Sequence, residues 1–196
     1  MTCLAWAVTT AHEFGLIDRQ LSVEYLHWSS GNYSGGRGTA LAAAGALRAD
    51  GQPDGPQWPY LEHNDDSDPG YMPPSTVIGP FSRAALRLSQ TDVDMLSADL
   101  SSGCLPVIAL RVTDAFLVAA GGVVREDGPG SDGHAVAAVG IAQYAGAQSV
   151  GGVLPGERLV CVRNSWGRSW GVDGHALMTE AALQKCVVGA LVVDPA

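Results

Sequence analysis

Val162-Arg163-Asn164-Ser165-Trp166-Gly167-Arg168-Ser169-Trp170-Gly171 is the stretch on which the reading of this chain turns. A β-type lead-in, Leu159-Val160-Cys161-Val162, runs into an Asn and two tryptophans, each followed by Gly. An indole has a large apolar body and one N–H that needs a partner when buried, so two of them in one loop imply a surface they pack on. By itself the stretch is either a strand ending in an aromatic-rich turn or one wall of a site in which Asn164 has partners. The rest of the chain decides between the two.

Composition narrows the field. The chain has 196 residues, 46% hydrophobic and 16% charged, the profile of a globular protein of one domain or two small lobes. A net charge of −9 with no run of basic residues argues against nucleic acid and against an anionic membrane surface. Twenty-five glycines and eleven prolines predict extensive loops. Cys3, Cys104, Cys161 and Cys186 are dispersed, with no C-x-x-C pair, so neither a disulfide framework nor a zinc ribbon is expected. No metal and no cofactor are expected. Cys3–Ala11 is apolar without a basic lead, and Arg111 and Asp114 interrupt the apolar run 105–124. Neither reads as a signal peptide or a membrane span, and a cytoplasmic location is the expectation.

Read in order, the first half is helices joined by long loops. Cys3–Phe14 has helical composition with Thr2 as a possible N-cap. Leu21–Trp28 and Thr39–Arg48 read as two further helices, separated by the glycine-rich loop Ser29–Thr39. Asp50–Pro59 is turn-rich, His63–Ser75 an acidic loop, and Thr91–Leu100 a helix closed by Ser101-Ser102-Gly103. The second half is β-like at Leu105–Val112, Ala135–Ile141, Arg158–Arg163 and Val187–Val193, with loops at Gly121–Asp132 and Ala145–Gly156. This is an α+β arrangement with its seam near Cys104, a helical lobe at 1–104 and a β-rich lobe at 105–196.

The chemistry centres on Cys3. In the first turn of a helix the macrodipole favours an anion, which lowers a thiol pKa; the alternative is a buried structural cysteine. A thiol nucleophile needs a base and a group to orient the base. His134, entering a strand about 130 residues downstream, and Asn164 beyond it supply those residue types. His175 stands in the same Asp-Gly-His-Ala context as His134 and is the competing imidazole; His12, His27 and His63 lack ligand spacing. Cys161 and Cys186 read as buried thiols, and Asp132 and Asp173 as turn residues.

Three blocks carry a resemblance: Thr2-Cys3-Leu4-Ala5-Trp6-Ala7, Gly133-His134-Ala135-Val136-Ala137-Ala138-Val139-Gly140, and Asn164-Ser165-Trp166-Gly167 with Trp170-Gly171. In this order they resemble the signature blocks of papain-like (C1 family) cysteine peptidases, most closely the disulfide-poor bacterial branch. Leu21–Tyr25, Gly35-Gly36, Ala40–Leu47 and Gln57-Trp58-Pro59-Tyr60 are similar to further family landmarks. The resemblance implies a two-lobed fold, helical first and an antiparallel β half-barrel second, with the active-site cleft between them. It implies a cysteine endopeptidase acting through a thioester acyl-enzyme on peptide or protein substrates. Cys3 would be the nucleophile and donate one oxyanion hydrogen bond, His134 the base and then acid, and Asn164 its orienter. Trp166 would cover that bond, and Gly35, Gly36, Trp166 and Ala135 would line the substrate.

The chain departs from the family in places. Leu4 follows the nucleophile where well-known members have Trp, and no second Cys precedes it. The family's oxyanion glutamine would fall ahead of Met1, and loss of such a donor costs about 10²–10³ in rate. No propeptide precedes Cys3 in this sequence. Two alternatives follow: a catalytically weakened binding or regulatory module, or a transamidase or peptide ligase using the same triad.

Overall fold

A computed structural model describes residues 3–16, 19–31, 39–61, 70–125, 128 and 130–195. Thr2, the glycine pair Gly35-Gly36, His63 and the acidic stretch Asp65–Asp68 lie outside the described residues. The chain divides into two compact units, Met1–Arg87 with Val193–Ala196, and Leu88–Val192.

The first unit holds α1 (Cys3–Phe14), α2 (Val23–Ser29) and α3 (Ala40–Ala49). α1 buries Ala5, Ala7, Val8 and Ala11, small side chains that let helices approach closely, and α2 packs on both α1 and α3. α2 starts two residues later than the sequence suggests. Leu21 bridges to Asp54, and Ser22, in extended conformation, caps the helix by accepting from the Tyr25 N–H at 3.1 Å. Thr39 likewise caps α3 rather than opening it.

Several buried polar side chains of this unit are paired, although His12 Nε2 has no partner among the described residues. Gln52 is fully buried; its Nε2 donates to Thr9 Oγ1 at 2.7 Å and to the Ser22 carbonyl at 3.1 Å. Its Oε1 therefore accepts from His12 Nδ1 at 2.9 Å, which fixes the His12 tautomer. Burial lowers the His12 pKa below the usual imidazole range, and the Gln52 bond only partly offsets it. Glu24, also fully buried, accepts from the Leu61 N–H at 3.0 Å and from the Tyr71 hydroxyl.

β1 (Ala84–Ser89) leads into the second unit. There follow α4 (Val93–Ser101), β2 (Pro106–Arg111), α5 (Asp114–Val118), β3 (Val123–Val124), β4 (Gly133–Gln143), β5 (Arg158–Arg163), β6 (His175–Thr179), α6 (Glu180–Cys186) and β7 (Val187–Pro195). Within this unit the strand order is β7-β2-β4-β5-β6-β3. The pairs are antiparallel except β3, which runs parallel to β6 through Val123↔Leu177. The sheet is open and does not close into a barrel. Ile108, Leu110, Val136, Ala138, Val160, Val162 and Met178 meet α4, α5 and α6 residues Leu96, Phe116 and Leu183 in one core.

The architecture is a mixture of helix and sheet, helical first and strand-rich second, as the composition predicts. β1, α5 and α6 are among the elements with no counterpart in the sequence reading. Each of the two helices follows a capping Thr. Thr113 accepts from the Phe116 N–H at 3.2 Å and Thr179 from the Ala182 N–H at 3.2 Å. β3 and a tight turn at Val150–Val153 likewise fall inside stretches that read as plain loop. Among the described residues no helix is long and apolar enough to cross a membrane.

Candidate active site

Strand parity explains how two distant residues meet. β4 sends His134, Val136 and Ala138 to one face and Ala135 and Ala137 to the other, because side chains alternate along a strand. On β5, Val160 and Val162 share the core face, and Asn164 continues that parity just past the strand end. The two strands pair Ala138↔Val162 and Ala137↔Arg163, which brings the end of β5 beside the start of β4. His134 Nε2 lies 2.7 Å from Asn164 Oδ1.

Because Oδ1 accepts, Nε2 carries the proton and the lone pair sits on Nδ1. His134 is 8% exposed and Asn164 3%. Burial pushes the His134 pKa below the usual imidazole range, while the bond to Asn164 pulls it back up. Asn164 Nδ2 is buried without a partner, so the amide's bonding is directed at His134. The Asn164 N–H donates to the Gly174 carbonyl at 3.0 Å, which ties this residue to the loop that follows.

An aromatic cluster surrounds the pair. The Trp166 ring lies 4.7 Å from the His134 ring, centroid to centroid, and Phe116 stands 5.7 Å from His134 in an edge-on arrangement. Phe116 also meets Trp166 at 5.5 Å and Trp170 at 5.0 Å. The Trp170 Nε1–H donates to the Phe116 carbonyl at 2.9 Å, satisfying the indole and anchoring α5. Trp166 is 39% exposed, so its indole rests against the His134 ring while part of it meets solvent. The loop closes tightly at Gly171, where a Cβ would sit 2.2 Å from the His175 carbonyl oxygen.

The remaining sequence candidates fall as follows. Cys3 opens α1 in the first unit and is half-buried, and the first helical turn holds no acidic residue. Ala135 is buried on the sheet face opposite His134 and pairs with Ala109. His175 turns toward the Asp173 carbonyl at 2.9 Å. All four cysteines are free thiols. Cys186 is buried at the end of α6, but Cys161 is half-buried rather than buried, with burial still raising its pKa. Phe116 is the residue the sequence reading missed; Thr113-Asp114 ahead of an apolar run is the capping signal that would have found its helix. Among the described residues no group of His, Cys, Asp and Glu is arranged to hold a metal.

Comparison with known proteins gives three results. The family model for papain family cysteine proteases matches residues 37–196, a span that contains His134 and Asn164 and begins after α1. No curated protein sequence matches the chain. Among solved structures, xylellain, a cysteine protease from Xylella fastidiosa, superposes with a TM-score of 0.74 at 19% identity, covering 100% of this chain and 80% of that one. Bromelain protease from Ananas comosus, solved with the E64 inhibitor, gives 0.74 at 18% identity over 100% of this chain and 89% of that one. A Carica candamarcensis cysteine protease solved with E-64 gives 0.70 at 16% identity over 99% and 88%. At these identities the likeness establishes the fold.

Proposed function

Because the chain belongs to the papain family of cysteine proteases, hydrolases that act on peptide bonds, we propose that it is an endopeptidase working through Cys3, His134 and Asn164. The observation that carries this reading is the buried 2.7 Å bond from His134 Nε2 to Asn164 Oδ1 beneath Trp166. That bond commits one imidazole nitrogen to orientation and leaves the other, Nδ1, as a base.

In this reading Nδ1 takes the Cys3 thiol proton and the thiolate attacks the scissile carbonyl carbon. The carbonyl π-electrons move onto oxygen, and the Cys3 backbone N–H donates one hydrogen bond to that oxyanion. Collapse of the tetrahedral intermediate breaks the C–N bond, and the Nδ1 proton leaves with the amine. Water, deprotonated by the same nitrogen, then attacks the thioester, releasing the acid and returning the proton to sulfur. Asn164 holds the ring through both halves, and Trp166 keeps water from its bond. Cys3 opens α1, the position that the family's nucleophile block implies. Gly35, Gly36, Trp166 and Ala135 are proposed to contact an extended substrate.

Turnover of a fluorogenic peptide by the wild type and by Cys3→Ala, with products analysed in the presence of an added amine, tests the reading. Hydrolysis by the wild type alone supports it. Transfer to the amine in preference to water would assign the chain to acyl transfer. Absence of turnover in a folded wild-type protein would point to a binding module.

A further inference from the structure

The first unit holds a concave site that the peptidase reading does not use. A hollow of about 340 Å³ has mostly apolar walls, formed by Leu21, Val23, Pro56, Trp58, Pro59 and Tyr60. That volume lies in the range of ligand pockets and far above the small voids of a packed core. A second hollow, lined by Leu16, Arg19 and Asp54, shares Glu13, Gln20 and Pro56 with it. The two therefore form one groove, with Glu13 and Gln20 where they meet.

Hydrogen bonds hold the walls of this groove in place. The Leu21 N–H donates to Glu13 Oε1 at 2.7 Å, the Gly55 N–H to the Gln20 carbonyl at 2.9 Å, and the Ser22 N–H to the Pro53 carbonyl at 3.0 Å. Ser22 Oγ, buried, donates to the Trp58 carbonyl at 2.7 Å. The groove is thus preformed, and a ligand entering it has little wall to order. Its charge has one sign. Arg19 Nη2 is tied to Asp54 Oδ1 at 2.5 Å, so the described charged side chains of the lining, Glu13, Arg19 and Asp54, leave a net negative charge. The Leu21 bond fixes the Glu13 carboxylate at the junction of the hollows. Tyr60 is 51% exposed, and Pro56 and Pro59 are exposed beside it, so the rim offers apolar surface as well.

We infer that this groove binds a peptide segment carrying a Lys or Arg flanked by apolar residues. A ligand that complements it has a cation at the tip of an apolar stem, which is the form of those two side chains. The cation meets Glu13, and the stem and its neighbours lie along Pro56, Pro59 and Tyr60. Two joined hollows exceed one side chain, so the occupant is a chain continuing on both sides rather than a free amine. The groove lies wholly within Met1–Arg87, whereas His134 and Asn164 belong to the other unit, and its binding does not depend on Cys3 as nucleophile.

Proton–nitrogen NMR of the Cys3→Ala chain tests this without turnover of the probes. End-blocked Leu-Lys-Leu and Leu-Arg-Leu are titrated in parallel with Leu-norleucine-Leu, which keeps a stem without the charge, and with n-butylamine, which keeps the cation without the chain. The Gln20, Val23 and Tyr60 amides report the groove, and those of His134, Asn164 and Trp166 report the other site. The groove predicts saturable shifts at Gln20, Val23 and Tyr60 with both basic peptides, and affinity about fivefold or more lower for the norleucine peptide and for butylamine. Glu13→Gln keeps an oxygen acceptor for the Leu21 N–H, so the wall stays. It is expected to weaken the basic peptides by a similar factor and leave the norleucine peptide unchanged, whereas Tyr60→Ala weakens all three. Shifts confined to His134, Asn164 and Trp166, a norleucine peptide or butylamine bound as tightly as the basic peptides, or binding undiminished in Glu13→Gln would each overturn the inference.

Discussion

Replacing Asn164 with Ala removes the acceptor that lies 2.7 Å from His134 Nε2. Both residues are buried, so water does not readily substitute. A buried donor left unpaired costs about 1–3 kcal/mol, and if that falls on the reacting complex, kcat/KM drops roughly 5- to 150-fold at about 1.4 kcal/mol per decade. The imidazole also responds. The Asn164 bond is what offsets burial, so Asn164→Ala moves the His134 pKa further down, whereas Asn164→Asp, placing a carboxylate there, moves it up. The assay is fluorogenic peptide turnover across pH for the wild type and both variants, with the His134 tautomer and titration followed by nitrogen NMR. The reasoning is refuted if Asn164→Ala keeps kcat/KM within about twofold of wild type while the Nε2–H tautomer persists, or if the two variants shift the His134 titration the same way.

Other consequences are open to measurement. Phe116 is fully buried against His134, Trp166 and Trp170, so Phe116→Ala should lower stability by about 3–5 kcal/mol in denaturant unfolding; a loss under about 1 kcal/mol would mean that the cluster is not packed as described. Trp166→Ala should expose the His134–Asn164 bond and lower kcat/KM while leaving Tm nearly unchanged, since Trp166 is already partly in solvent. His12 and His134 both have pKa values lowered by burial. As pH falls below about 6.5 the unfolded chain binds protons that the folded chain refuses, so stability is full above that pH and declines below it. Thermal unfolding from pH 7.5 down to pH 5 should show this fall, flattened in His12→Gln; a wild-type Tm independent of pH would contradict it. Thr113→Ala should cost about 1 kcal/mol through loss of the α5 cap, read as a lower unfolding midpoint.

The long elements were readable because their residues follow a simple period. Val160 and Val162 on β5, or Leu41 to Leu47 on α3, announce their element within a few residues. Short elements were not. α5 has five residues and α6 seven, too few for a hydrophobic period, and only the capping Thr before each marks the start. β1 runs Ala-Ala-Leu-Arg-Leu-Ser with a largely exposed pattern, so its composition barely separates it from loop. For the site, the sequence offers an Asn beside two tryptophans and a His entering a strand. What it does not contain is the β4–β5 register, Ala138↔Val162, that brings these residues to hydrogen-bonding distance.

The central claim is that Cys3 is a nucleophile activated by His134. The direct measurement is the rate of iodoacetamide alkylation of each cysteine as a function of pH, resolved by mass spectrometry, in the wild type and in His134→Ala. The account predicts that Cys3 in the folded wild type reacts faster than Cys104, Cys161 and Cys186. It further predicts that His134→Ala brings Cys3 down to the rate of Cys104. A Cys3 no more reactive than Cys104 in the wild type, or one indifferent to the loss of His134, would contradict it.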